Sequence, residues 1–354
     1  MTANATPSNI RAILHHTKRG ERLNILTSPT HERYEYNLCK TRHNFYSLNI
    51  PGQKTWDTDY APIPENYHIL DYIPDYLDFD LILSHTTCQR LKILHDNVAK
   101  YQGPDIDRCA IPIIRHTHVL PRPGIEMSIE QQLYSFNSIQ PDLNTFISEY
   151  NATSWGMSKK SAIIVEHGID TEFWNPIQKE RRNACLSIVN DWPNRDWCCG
   201  FNLWRQTSHG LPVQVFGKSP GFSEPAQSIE HLRDIYSGYS IFYNTSLHSP
   251  VPTVLMEAMA CGCAIVSTAT CMIPEIIEHG YNGLISNNPT ELRTHLETLL
   301  ADPDKARELG DNARKTIIEK YNLNRFIETW NNIFYTAIEN KKNGVIYEDL
   351  SVNN

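Results

Sequence analysis

The sequence predicts an α/β architecture of two successive parallel-sheet domains, on three observations. Its 354 residues are too many for one ordinary core and suit two domains. Short apolar runs alternate with longer segments of helical period along most of the chain, the pattern of parallel strands joined by crossover helices. Residues 170–182 (DTEFWNPIQKERR) interrupt that alternation with a polar, proline-bearing stretch that reads as an interdomain linker. The predicted boundaries are 1–172 for the first domain, 173–339 for the second and 340–354 for a polar tail. The last helix, at about 324–338, is free to pack back on the first domain.

In the first domain, residues 23–27 (LNILT) read as a strand and 36–45 as the helix after it. Residues 80–84 (DLILS) form a strongly apolar strand, and 87–101 a helix with Leu91, Leu94 and Val98 on one face. Residues 112–118 (PIIRHTH) make a strand ending in histidines. Residues 144–148 and 162–166 are two more strands, separated by a helix near 152–156.

In the second domain the predicted strands are 184–189, 212–216, 240–244, 264–267 and 283–286. Helices are expected at 196–204, 229–236, 253–260 (stopped by Gly262) and 273–278, then at 290–300, 303–321 and 324–338.

Composition narrows the function classes. Hydrophobic residues make up 40% and charged residues 20%, ordinary globular values, and the net charge of −8 provides no global basic field for nucleic acid or membrane. The local exception is 11–42, with seven Lys or Arg against three Asp or Glu, either a solvated face or an anion-facing patch. There is no run of about 18 apolar residues, the length a transmembrane helix needs, and the start of the chain lacks the pattern of a signal peptide. The nine cysteines contain no Cys-x-x-Cys pair, so reduced thiols in a cytoplasmic protein are expected.

Ligands of open α/β sheets sit beyond the carboxyl ends of the strands, so the residues just after each apolar run are the candidates. These include Thr27 to Arg33 with His31 between them, His85, His116 and His118, 167–168, then 190–195, 217–221 and 246–253. Within 249–268 (SPVPTVLMEAMACGCAIVST) the one charged residue is Glu257, among Leu255, Met256, Ala258 and Met259. An unpaired carboxylate there would cost on the order of several kcal/mol. Its donors could be the two hydroxyls of a ribose, with the outward amides at the helix start holding a phosphate. An Arg or Lys from elsewhere in the fold would satisfy it equally well.

The segment LMEAMACGCAIVSTATCMIPEIIEHGYNGLIS resembles the signature of the retaining glycosyltransferases of family 4, as do HGIDTEFWNP and LADPDKARELGDNARKTIIEKYNLNRFIETWNNIF. The resemblance is specific from about Ile163 to Phe334 and weaker before that. It implies the GT-B fold, two Rossmann-like domains facing a central cleft, and assigns the nucleotide ribose to Glu257. Two departures stand out. Ser249 lies where the family usually has a first glutamate that contacts the donor sugar. Pro250-Val251-Pro252-Thr253 replaces the usual glycine-rich loop, leaving backbone donors at Val251, Thr253 and Val254. After the strand ACLSIV the usual arginine is missing; Asn190 or Asp191 sits near its place, and Arg195 can stand in for the family's lysine on the diphosphate. Arg195 could instead pair with Asp191 or Asp196. Lys218 is a second candidate cation or a solvated loop lysine. His118 best fits the family's histidine that lines the donor sugar, with His116 two residues away on the same strand face; each could also be structural.

The expected function is transfer of a sugar from a nucleotide-sugar, UDP-linked before GDP-linked, to an unidentified acceptor, with retention and without a metal or cofactor. His118, Arg195 and Glu257 are the expected catalytic residues. Asn190, Arg195, Lys218, Ser249, Val251, Pro252, Thr253, Val254 and Glu257 are expected at the nucleotide-sugar, and Thr27, His31, Arg33, His85, His116 and His118 at the sugar and acceptor. The basic stretch admits an anionic acceptor: a sugar phosphate, a lipid phosphate or a modified nucleic acid. Domain closure about 170–182 is a further expectation. The rival classes are a non-catalytic nucleotide- or sugar-binding protein on the same fold and, with less support, a sugar-phosphate phosphorylase or epimerase.

Overall fold

Parallel pairing runs through both sheets of the protein, seen in a computed structural model that describes residues 20–74, 76–85, 111–138, 141–158, 162–178 and 180–343. The expected helix at 87–101, the basic residues Arg11, Lys18 and Arg19, and all but the first residues of the tail lie outside these. The chain forms two units, one of residues 1–166 with 324–354 and one of 167–323.

Among the described residues the first unit holds a sheet of seven strands. In chain order they are β1 (Asn24–Thr27), β2 (Asn44–Leu48), β3 (Tyr67–Leu70), β4 (Leu81–His85), β5 (Ile113–Thr117), β6 (Leu143–Phe146) and β7 (Ile163–Ile164). Their order across the sheet is β3-β2-β1-β4-β5-β6-β7. The order reverses between β1 and β4, the topological switch point where such sheets open a crevice for ligands. The central strands β4 and β5 are buried along their whole length, β4 on its apolar run and β5 with Arg115, His116 and Thr117 buried beside Ile113 and Ile114.

Helix α1 (Glu32–Cys39) corrects the expected helix at 36–45. It starts earlier because His31 caps it, the ring accepting from the Tyr34 amide at 3.3 Å. Residues 44–48 are a strand instead. Phe45 and Ser47 face inward, and a serine on the buried face conceals the alternation. Strand β3 and helix α2 (Ile129–Asn137) were not anticipated, although Ser128 and Gln131 form a full capping box at the start of α2. Helix α3 (Glu149–Ser154) follows β6, capped by Ser148.

The second unit carries β8 (Arg182–Ile188), β9 (Val213–Phe216), β10 (Tyr239–Asn244), β11 (Ala264–Ser267) and β12 (Leu284–Ile285), in the order β12-β11-β10-β8-β9. Its switch point is between β8 and β10. The expected helix at 196–204 is two short ones, α4 (Asp196–Cys199) and α5 (Phe201–Ser208). Gly200 breaks them with φ 64°, and a Cβ there would lie 2.2 Å from the Thr245 carbonyl oxygen. Then come α6 (Ile229–Ser237), α7 (Thr253–Ala260), α8 (Ile273–Ile276), α9 (Pro289–Ala301) and α10 (Pro303–Lys320). Leu292, Leu296 and Leu299 of α9 and Ala306 and Leu309 of α10 pack with Ile241, Tyr243 and Val266 of the sheet.

Helix α11 (Leu323–Asn343) belongs with the first unit from Asn324 onward. It buries Phe326, Trp330, Ile333, Phe334, Ala337 and Ile338 at helical spacing. The Trp330 indole N–H donates to the Tyr34 hydroxyl at 2.9 Å, and the Tyr335 hydroxyl donates to the Glu21 carbonyl at 2.7 Å. No helix among the described residues is long and apolar enough to cross a membrane, and the described cysteines are free thiols.

Candidate functional site

In the second unit the loops beyond the carboxyl ends of the strands are tied to one another. After β8 the chain turns through Asp191, whose φ is 50°, into the fully buried Trp192. That ring packs among Cys198, Cys199, Phe201 and Trp204 and donates its N–H to the Cys199 carbonyl at 2.9 Å. Asn190 is thereby fixed. Its Oδ1 accepts from the Lys218 amide at 2.8 Å, while the Asp191 amide donates to the Lys218 carbonyl at 2.8 Å. Gly217 permits this approach, since a Cβ there would lie 2.1 Å from the Val189 carbonyl oxygen.

Arg195 closes a 3₁₀ turn (Pro193–Arg195) and is exposed. Its guanidinium donates to the Asn190 carbonyl at 3.3 Å. The two acids that could have paired with it are engaged elsewhere. Asp191 accepts from Asn194 at 2.7 Å, and Asp196 accepts from the Asn202 amide and side chain at 2.8 and 2.7 Å. Lys218 is exposed one strand away. Both cations therefore lie at the carboxyl end of the sheet.

The loop after β10 joins the same region. The amides of Leu247 and His248 donate to the Cys198 carbonyl at 2.8 and 3.1 Å, and the hydroxyls of Thr268 and Thr270 donate to the Ser246 carbonyl, both at 2.5 Å. Ser249 is half-buried and Val251 and Pro252 are buried. Pro252 is the N-cap of α7 and offers no side-chain cap, so the helix presents its first amides, with Thr253 and Val254 half-buried there.

Glu257 lies in the second turn of α7 and is 2% exposed. One of its donors is internal: the Tyr236 hydroxyl at the end of α6 donates to Oε2 at 2.9 Å. This phenol was not anticipated, because Tyr236 reads in the sequence as one apolar position of an amphipathic helix. It is fully buried, and its ring meets Trp174 edge-on at 5.7 Å. A carboxylate has about four acceptor positions, so the tyrosine orients the group without exhausting it.

In the first unit the four histidines expected at the site come together around Tyr34 of α1. His85 Nδ1 and His118 Nε2 are 2.8 Å apart. The Tyr34 ring stacks on His116 at 5.1 Å and meets His118 edge-on at 4.5 Å. His116 Nδ1 lies 2.7 Å from the Thr145 hydroxyl, and Trp330 meets the His116 ring at 4.9 Å. Of the other three, His31 lies farthest from His118, ring centroid to ring centroid 6.4 Å. Burial, reinforced by the Arg33 charge, lowers its pKa to about 4. Arg33 is half-buried on α1, and Thr27 is buried at the end of β1.

Glu35, which lies just before the helix expected at 36–45, is buried inside α1. Its Oε1 accepts from the amides of Thr30 and His31 at 2.5 and 2.9 Å and so holds the β1–α1 loop. Burial raises its pKa to about 7. Among the described residues no group of three or more His, Cys, Asp or Glu is arranged to hold a metal ion.

Comparison with known proteins bears on the second unit first. Residues 224–316 match the family model described as Glycosyl transferases group 1. Over 98 residues the chain is 37% identical to alpha-maltose-1-phosphate synthase of Mycolicibacterium smegmatis, a match covering 25% of each chain. Over 95 residues it is 33% identical to N-acetyl-alpha-D-glucosaminyl L-malate synthase of Bacillus anthracis, covering 26% of this chain and 25% of that one. The chain thus spans about a quarter of the length of these curated relatives. Among solved structures, sucrose-phosphate synthase from Thermosynechococcus elongatus aligns at TM-score 0.66 and 13% identity, covering 89% of this chain and 99% of that one. Anabaena HepE in complex with UDP and glucose aligns at TM-score 0.67 and 12% identity, covering 89% and 100%. At these identities the likeness shows the fold.

Proposed function

We propose, for a chain that carries a glycosyl transferases group 1 segment on the GT-B fold, that it transfers a sugar from a nucleotide-sugar to an acceptor with retention at the anomeric carbon. The observation that carries the reading is Glu257, a buried carboxylate on α7, the helix that follows β10 at the switch point of the second unit, inside the matching segment. Its carboxylate takes the two ribose hydroxyls. Arg195, the Thr253 hydroxyl and the first amides of α7 take the diphosphate, with Lys218 as a second cation and Asn190 holding the loop that presents Arg195. Cations and oriented amides stabilise the charge that grows on the leaving diphosphate more than they stabilise the ground state. In this reading the reaction needs no metal, and His118 contacts the sugar hydroxyls. UDP is the favoured nucleotide, supported by a structural neighbour crystallised with UDP-glucose.

The test is calorimetric titration with UDP, GDP and ADP, followed by hydrolysis of the matching sugar nucleotide. UDP should bind most tightly, and Glu257→Ala should weaken it by about a hundredfold, the loss of a charge-assisted hydrogen-bond pair at roughly 1.5 kcal/mol or more per bond. Equal affinity in wild type and Glu257→Ala would overturn the ribose assignment. Ser249, in place of a second carboxylate, favours one other reading, binding without turnover. Tight UDP binding with no hydrolysis or transfer across an acceptor screen would select it.

A further inference from the structure

The His85–His118 contact has a chemical consequence beyond packing. Two neutral imidazoles whose nitrogens meet at 2.8 Å share a single hydrogen: one ring donates it and the other accepts it. When His85 Nδ1 donates, His118 must carry its own hydrogen on Nδ1, and that nitrogen is a hydrogen-bond donor. When His118 Nε2 donates, its Nδ1 is an acceptor and His85 carries hydrogen on Nε2. One added proton makes both remaining nitrogens donors. A second would place two hydrogens between nitrogens 2.8 Å apart, so in this geometry the pair holds one positive charge at most.

We infer that His85 is a positioning residue for His118, fixing its ring and coupling its tautomer, so that His118 can meet a sugar or acceptor hydroxyl either as donor or as acceptor. His85 has no exposed surface whereas His118 is 8% exposed, so His85 acts on a substrate through His118. The surroundings keep the rings in place. Their planes lie 29° apart at 5.0 Å, His116 meets His118 edge-on at 4.3 Å, and Tyr34 meets it at 4.5 Å. Among the described residues, the titratable groups seen to face the pair are His31 and Tyr34 from the β1–α1 segment and His116 from β5. Glu32, Arg33 and Lys54 act on His31, and Glu35 and Arg325 act on Tyr34. The identity of the hydroxyl rests on the sugar-transfer reading; the coupling does not.

The test uses the full chain labelled with ¹⁵N-histidine, whose ring shifts report tautomer and charge. Across pH 5 to 8, the range in which imidazoles titrate, the wild-type signals of His85 and His118 should move together and take up one proton between them. In His85→Leu the His118 signals should change tautomer and titrate alone. His85→Asn places an amide, able to donate or accept, near the Nδ1 position and should keep the wild-type tautomer of His118, which then titrates alone. With UDP-glucose hydrolysis as readout, His85→Leu should lower kcat by about a hundredfold, the effect of a misplaced catalytic group, with KM little changed. His85→Asn should restore most of kcat. Two independent protonations in the wild type, His118 signals unmoved in His85→Leu, or His85→Asn as impaired as His85→Leu would each overturn the inference. If His85→Leu does not fold, the wild-type titration and His85→Asn decide. A chain that fails to bind UDP sinks the sugar-transfer reading and leaves the spectroscopic arm to decide this one.

Discussion

Tyr236 and Glu257 make the energetics of the second unit testable at a single bond. A buried carboxylate that loses a donor bears its desolvation with one compensating bond fewer, and hydrogen bonds to charged groups are worth about 1.5–3 kcal/mol. Tyr236→Phe keeps the ring and its contact with Trp174 and removes the hydroxyl that donates to Glu257. The expected result is a loss of about 1.5–3 kcal/mol in urea unfolding, with the m-value unchanged. An unshifted midpoint would mean that the phenol does not hold the acid. In the first unit, Glu35 and His31 set opposing pH dependences. The carboxyl of Glu35 is raised from 4.5 to about 7, so the stability it contributes is full below pH 4.5 and is lost as pH rises through 7. The imidazole of His31 is lowered from 6.5 to about 4, so its contribution is full above pH 6.5 and is lost as pH falls through 4. Between these limits the two slopes offset each other. Glu35→Gln removes one of them, and its unfolding free energy relative to wild type should rise steadily from pH 4.5 to 7. A difference flat with pH would show that Glu35 ionises in the folded protein as it does in water.

At the scale of elements, legibility followed how far local pattern and tertiary demand agreed. Strands β4 and β11 open on the apolar runs LIL and AIV and are buried throughout, and β10 carries the run IFY. Helices α9 and α10 carry Asn288 and Asp302 as caps, with proline in the first turn, so their starts were evident. Where a buried position is polar the pattern fails, as with Ser47 in β2 and Glu35 in α1. Glu257 was conspicuous because nothing else in its run is charged, whereas its partner Tyr236 passed as one more apolar residue. The break between α4 and α5 is decided by the distant carbonyl of Thr245, which no local pattern reveals. Gly200→Ala tests that contact. An added Cβ would lie 2.2 Å from a backbone oxygen, and φ is 64°, so the loop after β10 must move or the turn must strain, by about 1–3 kcal/mol. The expected outcome is a lower urea midpoint together with weaker UDP binding. Weaker stability with unchanged UDP affinity would separate this turn from the nucleotide loops.

The whole molecule is assembled from two units of unequal continuity. Residues 167–323 form one unbroken stretch, whereas the other unit needs residues 324–354 to return to 1–166. Helix α11 is more than an appendage to that unit. Phe326, Trp330, Ile333, Phe334 and Ile338 are buried, and burying such side chains contributes about 1.5–3 kcal/mol each. Five of them approach the ~5–15 kcal/mol that separates a folded domain from its unfolded chain. Trp330 also holds the Tyr34 hydroxyl, and Tyr34 packs against His116 and His118, so the same helix supports the histidine cluster. Ending the chain after Leu323 should therefore unfold the first unit and leave the second intact. Limited proteolysis with mass spectrometry is the direct measurement. In the truncated chain, cleavage should spread through 20–166 while 167–323 stays protected, and UDP should deepen that protection to the extent expected for the full chain. Resistance of 20–166 equal to that of the full chain would show that the seven-stranded sheet stands without α11. UDP protection lost on truncation would mean that the second unit does not hold the nucleotide by itself.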